Sequence, residues 1–139
     1  ASVTSENVFV LDSYALLAYL GAEPGWERVK DLLIQTQNES CILKLCTINM
    51  GEVLYMTERR RGLEKAQEVQ ALIVSLPIAI VDAARNLVLD AAHIKANYAL
   101  PYADAFVVAL AQKENGIILT GDPEFQSVAE IVHIEWLNP

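Results

Sequence analysis

Four acids carry the chemical content of this sequence: Asp12, Glu52, Asp104 and Asp122. Asp104 stands among Leu100, Val107, Val108 and Ala111 at helical spacing, and Glu52 among Ile48, Tyr55 and Met56, so each carboxylate lies on the apolar stripe of its helix. No Lys or Arg lies one turn away on either helix to pair with it, and burying an unpaired carboxylate is costly. Asp12 and Asp122 each follow an apolar run, VFVL and IILTG. Taken singly, either is as readily a turn or capping residue. Two ionised carboxylates about 4 Å apart repel by about 4 kcal/mol at an effective dielectric of 20, so four that converge need protons or cations. An all-oxygen donor set suits Mg²⁺ or Mn²⁺, whereas zinc recruits Cys or His at spacings that His93 and His133 do not offer. There is no Walker-type glycine loop, no GxGxxG and no serine elbow. What is left is metal-assisted chemistry on phosphate, in which the ion orients water and polarises the phosphoryl oxygens.

The elements that would position these acids alternate strand and helix along the chain. Val8 to Leu11 reads as a strand ending at Asp12, with Ser13 placed to cap a helix from Tyr14 to Leu20. Gly21 breaks that helix and Pro24 opens a second, with Trp26, Val29, Leu32 and Leu33 on one stripe. Cys41 to Leu45 is the next strand, and Thr47 can cap a helix that carries Glu52 to Arg61 and stops at Gly62. A helix from Leu63 to Leu76, a strand Ile78 to Val81 and a helix Ala83 to Tyr98 follow, with Asp82 read as the cap of the last. Pro101 to Asn115 then forms the most apolar helix, with Gly116 as its left-handed stop, before the strand Ile117 to Leu119, the turn Thr120-Gly121-Asp122-Pro123 and a final strand Ile131 to Trp136. This alternation predicts an α/β fold of one domain, three layers with helices on both faces of a mainly parallel sheet of about five strands. In such a sheet, positions just beyond strand ends converge on one crevice, where all four acids would meet.

Composition narrows the class. At 139 residues the chain is one domain, residues 8–139 after a short polar tail, Ala1 to Asn7. The tail lacks the basic start and apolar stretch of a signal peptide, and no apolar run spans a membrane, so the protein is expected in the cytoplasm. Cys41 and Cys46 lie five apart in a strand-like run and should face opposite ways, which disfavours a disulfide. The formal charge of −8 argues against the broad basic surface of a typical nucleic-acid binder. It leaves room for local contacts. Arg59, Arg60 and Arg61 are consecutive at a helix end, where a solvated, dipole-matched triplet is the plain reading.

With these residues in order, VFVLDSYALLAYL, TINMGEVLY, YADAFVVALA and ILTGDPEF, nearly the whole chain resembles a PIN domain, and in particular the compact toxin type called VapC. The resemblance implies that Asp12, Glu52, Asp104 and Asp122 form an acidic site for Mg²⁺ or Mn²⁺ in an endoribonuclease. Ser13 and Thr120 match positions where similar proteins place a small hydroxyl, and Asn49, one turn before Glu52, offers a further polar contact. The resemblance also implies a homodimer and a small antitoxin protein that blocks the site. Arg59, Arg60 and Arg61 leave the helix that carries Glu52 and are the local candidates for RNA phosphate contacts.

Two other readings stay open at this level. One is a non-catalytic PIN-like module that binds protein partners through its acidic surface. The other is a receiver-like or phosphatase-like Mg²⁺-binding domain. Against the latter, Ser13 and Tyr14 follow Asp12 where one phosphatase group has a second acid, and no lysine follows the final strand.

Overall fold

The computed structural model describes residues 7–137. Among the described residues, pairs of α-helices separate the first four of five strands: β1 (Asn7–Leu11), α1 (Ser13–Leu20), α2 (Trp26–Gln37), β2 (Cys41–Cys46), α3 (Thr47–Arg61), α4 (Leu63–Ser75), β3 (Ala79–Val81), α5 (Arg85–Asn97), α6 (Tyr102–Glu114), β4 (Ile117–Thr120) and β5 (His133–Trp136). A 3-10 helix, Pro123–Val128, lies between β4 and β5. The sheet is entirely parallel in the order β3-β2-β1-β4-β5. The expected α/β/α architecture is therefore present. The order is not the 2-1-3-4-5 of receiver-like domains, so the receiver-like form of that alternative fails on topology, while strand order does not bear on the phosphatase-like form. The expected tail falls on residues 1–6, outside the described ones, and on Asn7, which opens β1.

Because side chains alternate along a strand, each central strand feeds two cores. Val10, Cys46 and Ile118 enter a layer with α5 and α6, while Phe9, Leu11, Leu43, Leu45 and Leu119 enter one with α1, α2 and α4. Cys41 and Cys46 fall in opposite layers, both unpaired and buried. Helix α6 is the most enclosed element, with every residue from Asp104 to Ala111 buried. Arg28 on α2 clasps Glu135 on β5 with both Nε, at 2.6 Å, and a terminal nitrogen, at 3.0 Å. That two-point ion pair fastens α2 to the strand at one edge of the sheet.

Several helix ends differ from the sequence reading. The cap of α1 is Asp12, not Ser13: its Oδ1 accepts the Ala15 amide at 2.8 Å. Cys46, not Thr47, is the boundary residue of α3, and the Thr47 hydroxyl instead accepts the Ala83 amide at 3.1 Å. That contact ties α3 to the segment after β3, and α5 begins at Arg85 behind Ala84, so Asp82 is not the cap of α5. The left-handed stop of α6 is Asn115 (φ 51°), with Gly116 one residue later. Gly116 is needed for another reason: a Cβ there would come within 2.8 Å of the Val8 carbonyl oxygen. Among the described residues no helix is long and apolar enough to cross a membrane.

Candidate active site

The strand order reverses between β1 and β4, and a parallel sheet opens its ligand crevice at the carboxyl ends of such a pair. Asp12 leaves β1 at this point, and Thr120 and Asp122 leave β4. Asp12 is 1% exposed and Thr120 0%, so they meet away from solvent. The Thr120 hydroxyl donates to Asp12 Oδ2 and accepts the Asp122 amide, the latter at 2.9 Å. One hydroxyl thus connects the two strand-end acids. Asp122 accepts the Glu124 amide at 2.9 Å and caps the 3-10 helix. The capping and site readings of Asp12 and Asp122 are not exclusive, since each carboxyl caps a helix while standing at the crevice.

The other two acids come from helices. Asp104 sits in the first turn of α6, near its positive dipole end, and is 5% exposed. Glu52, half-buried on α3, is held by Asn49, whose amide nitrogen donates to Glu52 Oε1 at 3.2 Å and to the Ala103 carbonyl at 3.1 Å. Asn49 therefore pins the Glu52 carboxylate to the turn that carries Asp104. Its own Oδ1 is buried with no hydrogen-bond partner among the described residues. Ser13, half-buried at the start of α1, makes no side-chain hydrogen bond to the acids among the described residues.

Asp12 and Asp104 both feel the neighbouring carboxyls. Burial pushes Asp12 up to about 7, with Asp122 and Glu52 adding repulsion, and the Thr120 and Ala15 hydrogen bonds acting the other way. Burial pushes Asp104 up to about 8, reinforced by Asp12, Glu52, Asp122 and the unanticipated Glu124. No basic side chain pairs with either acid among the described residues. The cluster is nonetheless open: among the described residues no three His, Cys, Asp or Glu side chains are gathered closely enough to hold one ion. The donors fit a hard divalent cation in their chemistry, being oxygens in excess negative charge beside an unsatisfied amide oxygen.

The arginine triplet divides. All three residues are exposed at the end of α3, but the Arg59 guanidinium lies 5.4 Å from the Tyr55 ring centroid, while Arg60 and Arg61 line a groove of about 560 Å³ between α1, α3 and α4. Lys65 and Tyr14 line the same groove. Tyr14 was not among the residues expected at the site, and only the burial of its neighbours sets it apart. It is an aromatic residue two positions after Asp12 on a helix whose other large side chains are buried or half-buried.

A family model for the PIN domain matches residues 9–131, and the chain belongs to that family. No curated protein matches the chain. Among solved structures it is similar to DNA-bound VapBC from Salmonella typhimurium, with a TM-score of 0.72 and 17% identity over 94% of this chain and 98% of that one. VapBC2 from Rickettsia felis, bound to a DNA fragment from its promoter, gives a TM-score of 0.71 at 14% identity over 92% and 97%. The VapC20 toxin of Mycobacterium tuberculosis, described as cleaving the sarcin-ricin loop, gives 0.68 at 17% identity over 89% and 95%. At such identities the likeness speaks for the fold.

Proposed function

We propose that this chain is a Mg²⁺- or Mn²⁺-dependent endoribonuclease and the toxin of a toxin–antitoxin pair, acting on RNA in the cytoplasm. The observation that carries the reading is the pair Asp12 and Asp104, buried at the switch point of a PIN domain with no cationic side chain among the described residues to neutralise them. Asp12, Glu52, Asp104 and Asp122 would hold the ion by closing on it, since no three of them are gathered around one point among the described residues. When bound, the ion would supply polarisation of the phosphoryl oxygens and a water of lowered pKa. The chain's own part is positional: Thr120 fixes Asp12 against the Asp122 loop, and Asn49 fixes Glu52 against α6.

The VapBC structures among the neighbours support a small antitoxin as partner. Exposed Leu63, Leu72 and Val74 on α4 leave apolar surface that an antitoxin or a second copy of the chain would cover. The open arrangement of the acids favours a second reading, a PIN module that binds partners without turnover. Turnover separates the two. Purified protein, free of antitoxin and contaminating nuclease, is expected to cleave varied RNAs with Mg²⁺ or Mn²⁺ and to lose that activity as Asp104→Asn. Intact RNA in every metal condition overturns the nuclease reading.

A further inference from the structure

The groove between α1, α3 and α4 does not hold the acids, yet it shares a wall with them. Tyr14 stands two residues after Asp12 and is 36% exposed. Its ring packs so closely on the loop between Thr120 and Asp122 that a Cβ on Gly121 would lie 2.3 Å from Cε1. The same ring lines the groove, whose floor includes Leu17 and Met56. Three cations, Arg60, Arg61 and Lys65, line it against one carboxylate, Glu23. Arg60 and Arg61 make no ion pair among the described residues, and Lys65 has only an exposed contact to Glu68 at 3.5 Å. In a chain of net charge −8, this is a local excess of positive charge that begins beside the acidic crevice.

We propose that this groove is the path of single-stranded RNA into the acid site, with Tyr14 stacking on the base next to the scissile phosphate. Arg60, Arg61 and Lys65 take the phosphates that follow. An exposed aromatic ring beside a run of cations is how single strands are held without base readout, since every base has a π-face and every link a charge. The path reconciles an acidic protein with a polyanionic substrate. The strand is gripped by the cations and meets the acids only at the linkage to be cut. The proposal rests on the nuclease reading for its direction, but binding tests it separately.

The experiment is fluorescence anisotropy of a labelled single-stranded RNA oligonucleotide with Asp104→Asn protein, so that binding is read without cleavage. Arg60→Glu with Arg61→Glu, Lys65→Glu and Tyr14→Ala are added in turn to that background. Lys113→Glu, an exposed cation at the far end of α6, is the control, and thermal melts confirm that each variant is folded. The arginine pair should weaken binding tenfold or more and reduce the slope of log K against log salt by about 1.4, at about 0.7 per contact on a single strand. Tyr14→Ala should weaken binding severalfold with no change in slope, and Tyr14→Phe should restore it. Equal effects of Lys113→Glu and the arginine pair would overturn the path. So would unchanged RNA binding in groove variants that instead lose a protein partner, which would make the groove a protein site. RNA held in the groove without turnover by the wild-type chain would sink the nuclease reading and leave this one standing.

Discussion

At the scale of single residues, the site is defined by protons held where charge is expensive. Asp12 and Asp104 have folded-state pKa values of about 7 and about 8 against an ordinary 3.8. Below the ordinary value both folded and unfolded chains are protonated at these positions, so no difference arises. Between there and the folded values only the folded chain keeps the protons, and stability of the metal-free protein falls as pH rises. The melting temperature without divalent ions should therefore drop between pH 5 and pH 8. Asp104→Asn should flatten that slope and raise stability at pH 8 by at least ~1 kcal/mol, given about 1.4 kcal/mol per pKa unit. The same variant should lose cleavage by ~100-fold or more, or ~2.7 kcal/mol of transition-state stabilisation. A variant that gained stability and cleaved normally would separate the buried acid from catalysis. Thr120 makes a second test. Thr120→Val leaves Asp12 Oδ2 and the Asp122 amide without their shared hydroxyl, a loss of about 1–3 kcal/mol by urea denaturation, whereas Thr120→Ser should retain most of it.

At the scale of elements, two contacts decide how precisely the acids are held. Asn49 couples α3 to α6, and Tyr14 couples α1 to the loop after β4. Because a Cβ at Gly121 would collide with the Tyr14 ring, Gly121→Ala should cost about 1–3 kcal/mol as an overpacked site. In a Tyr14→Ala background the same substitution should cost almost nothing, a coupling that a double-mutant cycle in chemical denaturation reads directly. The alternation of elements and the apolar character of α6 were legible because period and burial are written in the residues themselves. Helix ends were less so. Asp12 displaced Ser13 as a cap, and Asp82 was left exposed, because the choice among adjacent capping residues depends on tertiary contacts such as Thr47 to Ala83. The Tyr14 to Gly121 contact joins residues 107 positions apart in number, and no local pattern encodes it.

At the scale of the whole molecule, the parallel order β3-β2-β1-β4-β5 places the strand ends of Asp12 and Asp122 side by side at the reversal point. That convergence followed from the alternation of elements, whereas the depth of each acid and the openness of the cluster required packing that sequence does not state. An open, partly protonated cluster has a measurable consequence. Ligation requires ionised carboxylates, so binding Mg²⁺ or Mn²⁺ must expel the protons that Asp12 and Asp104 retain near neutrality. Titration calorimetry at pH 7 in two buffers of different ionisation enthalpy should show release of about one proton per site. Release should fall toward zero at pH 9, where both acids are already ionised, and affinity should rise over the same interval. Asp104→Asn should release fewer protons than wild type. If metal binds at pH 7 with no proton release, the acids are already charged in the free protein and burial is not what sets their state. If release is seen and Asp104→Asn does not change it, the protons come from elsewhere in the chain and the cluster is not the ion's site.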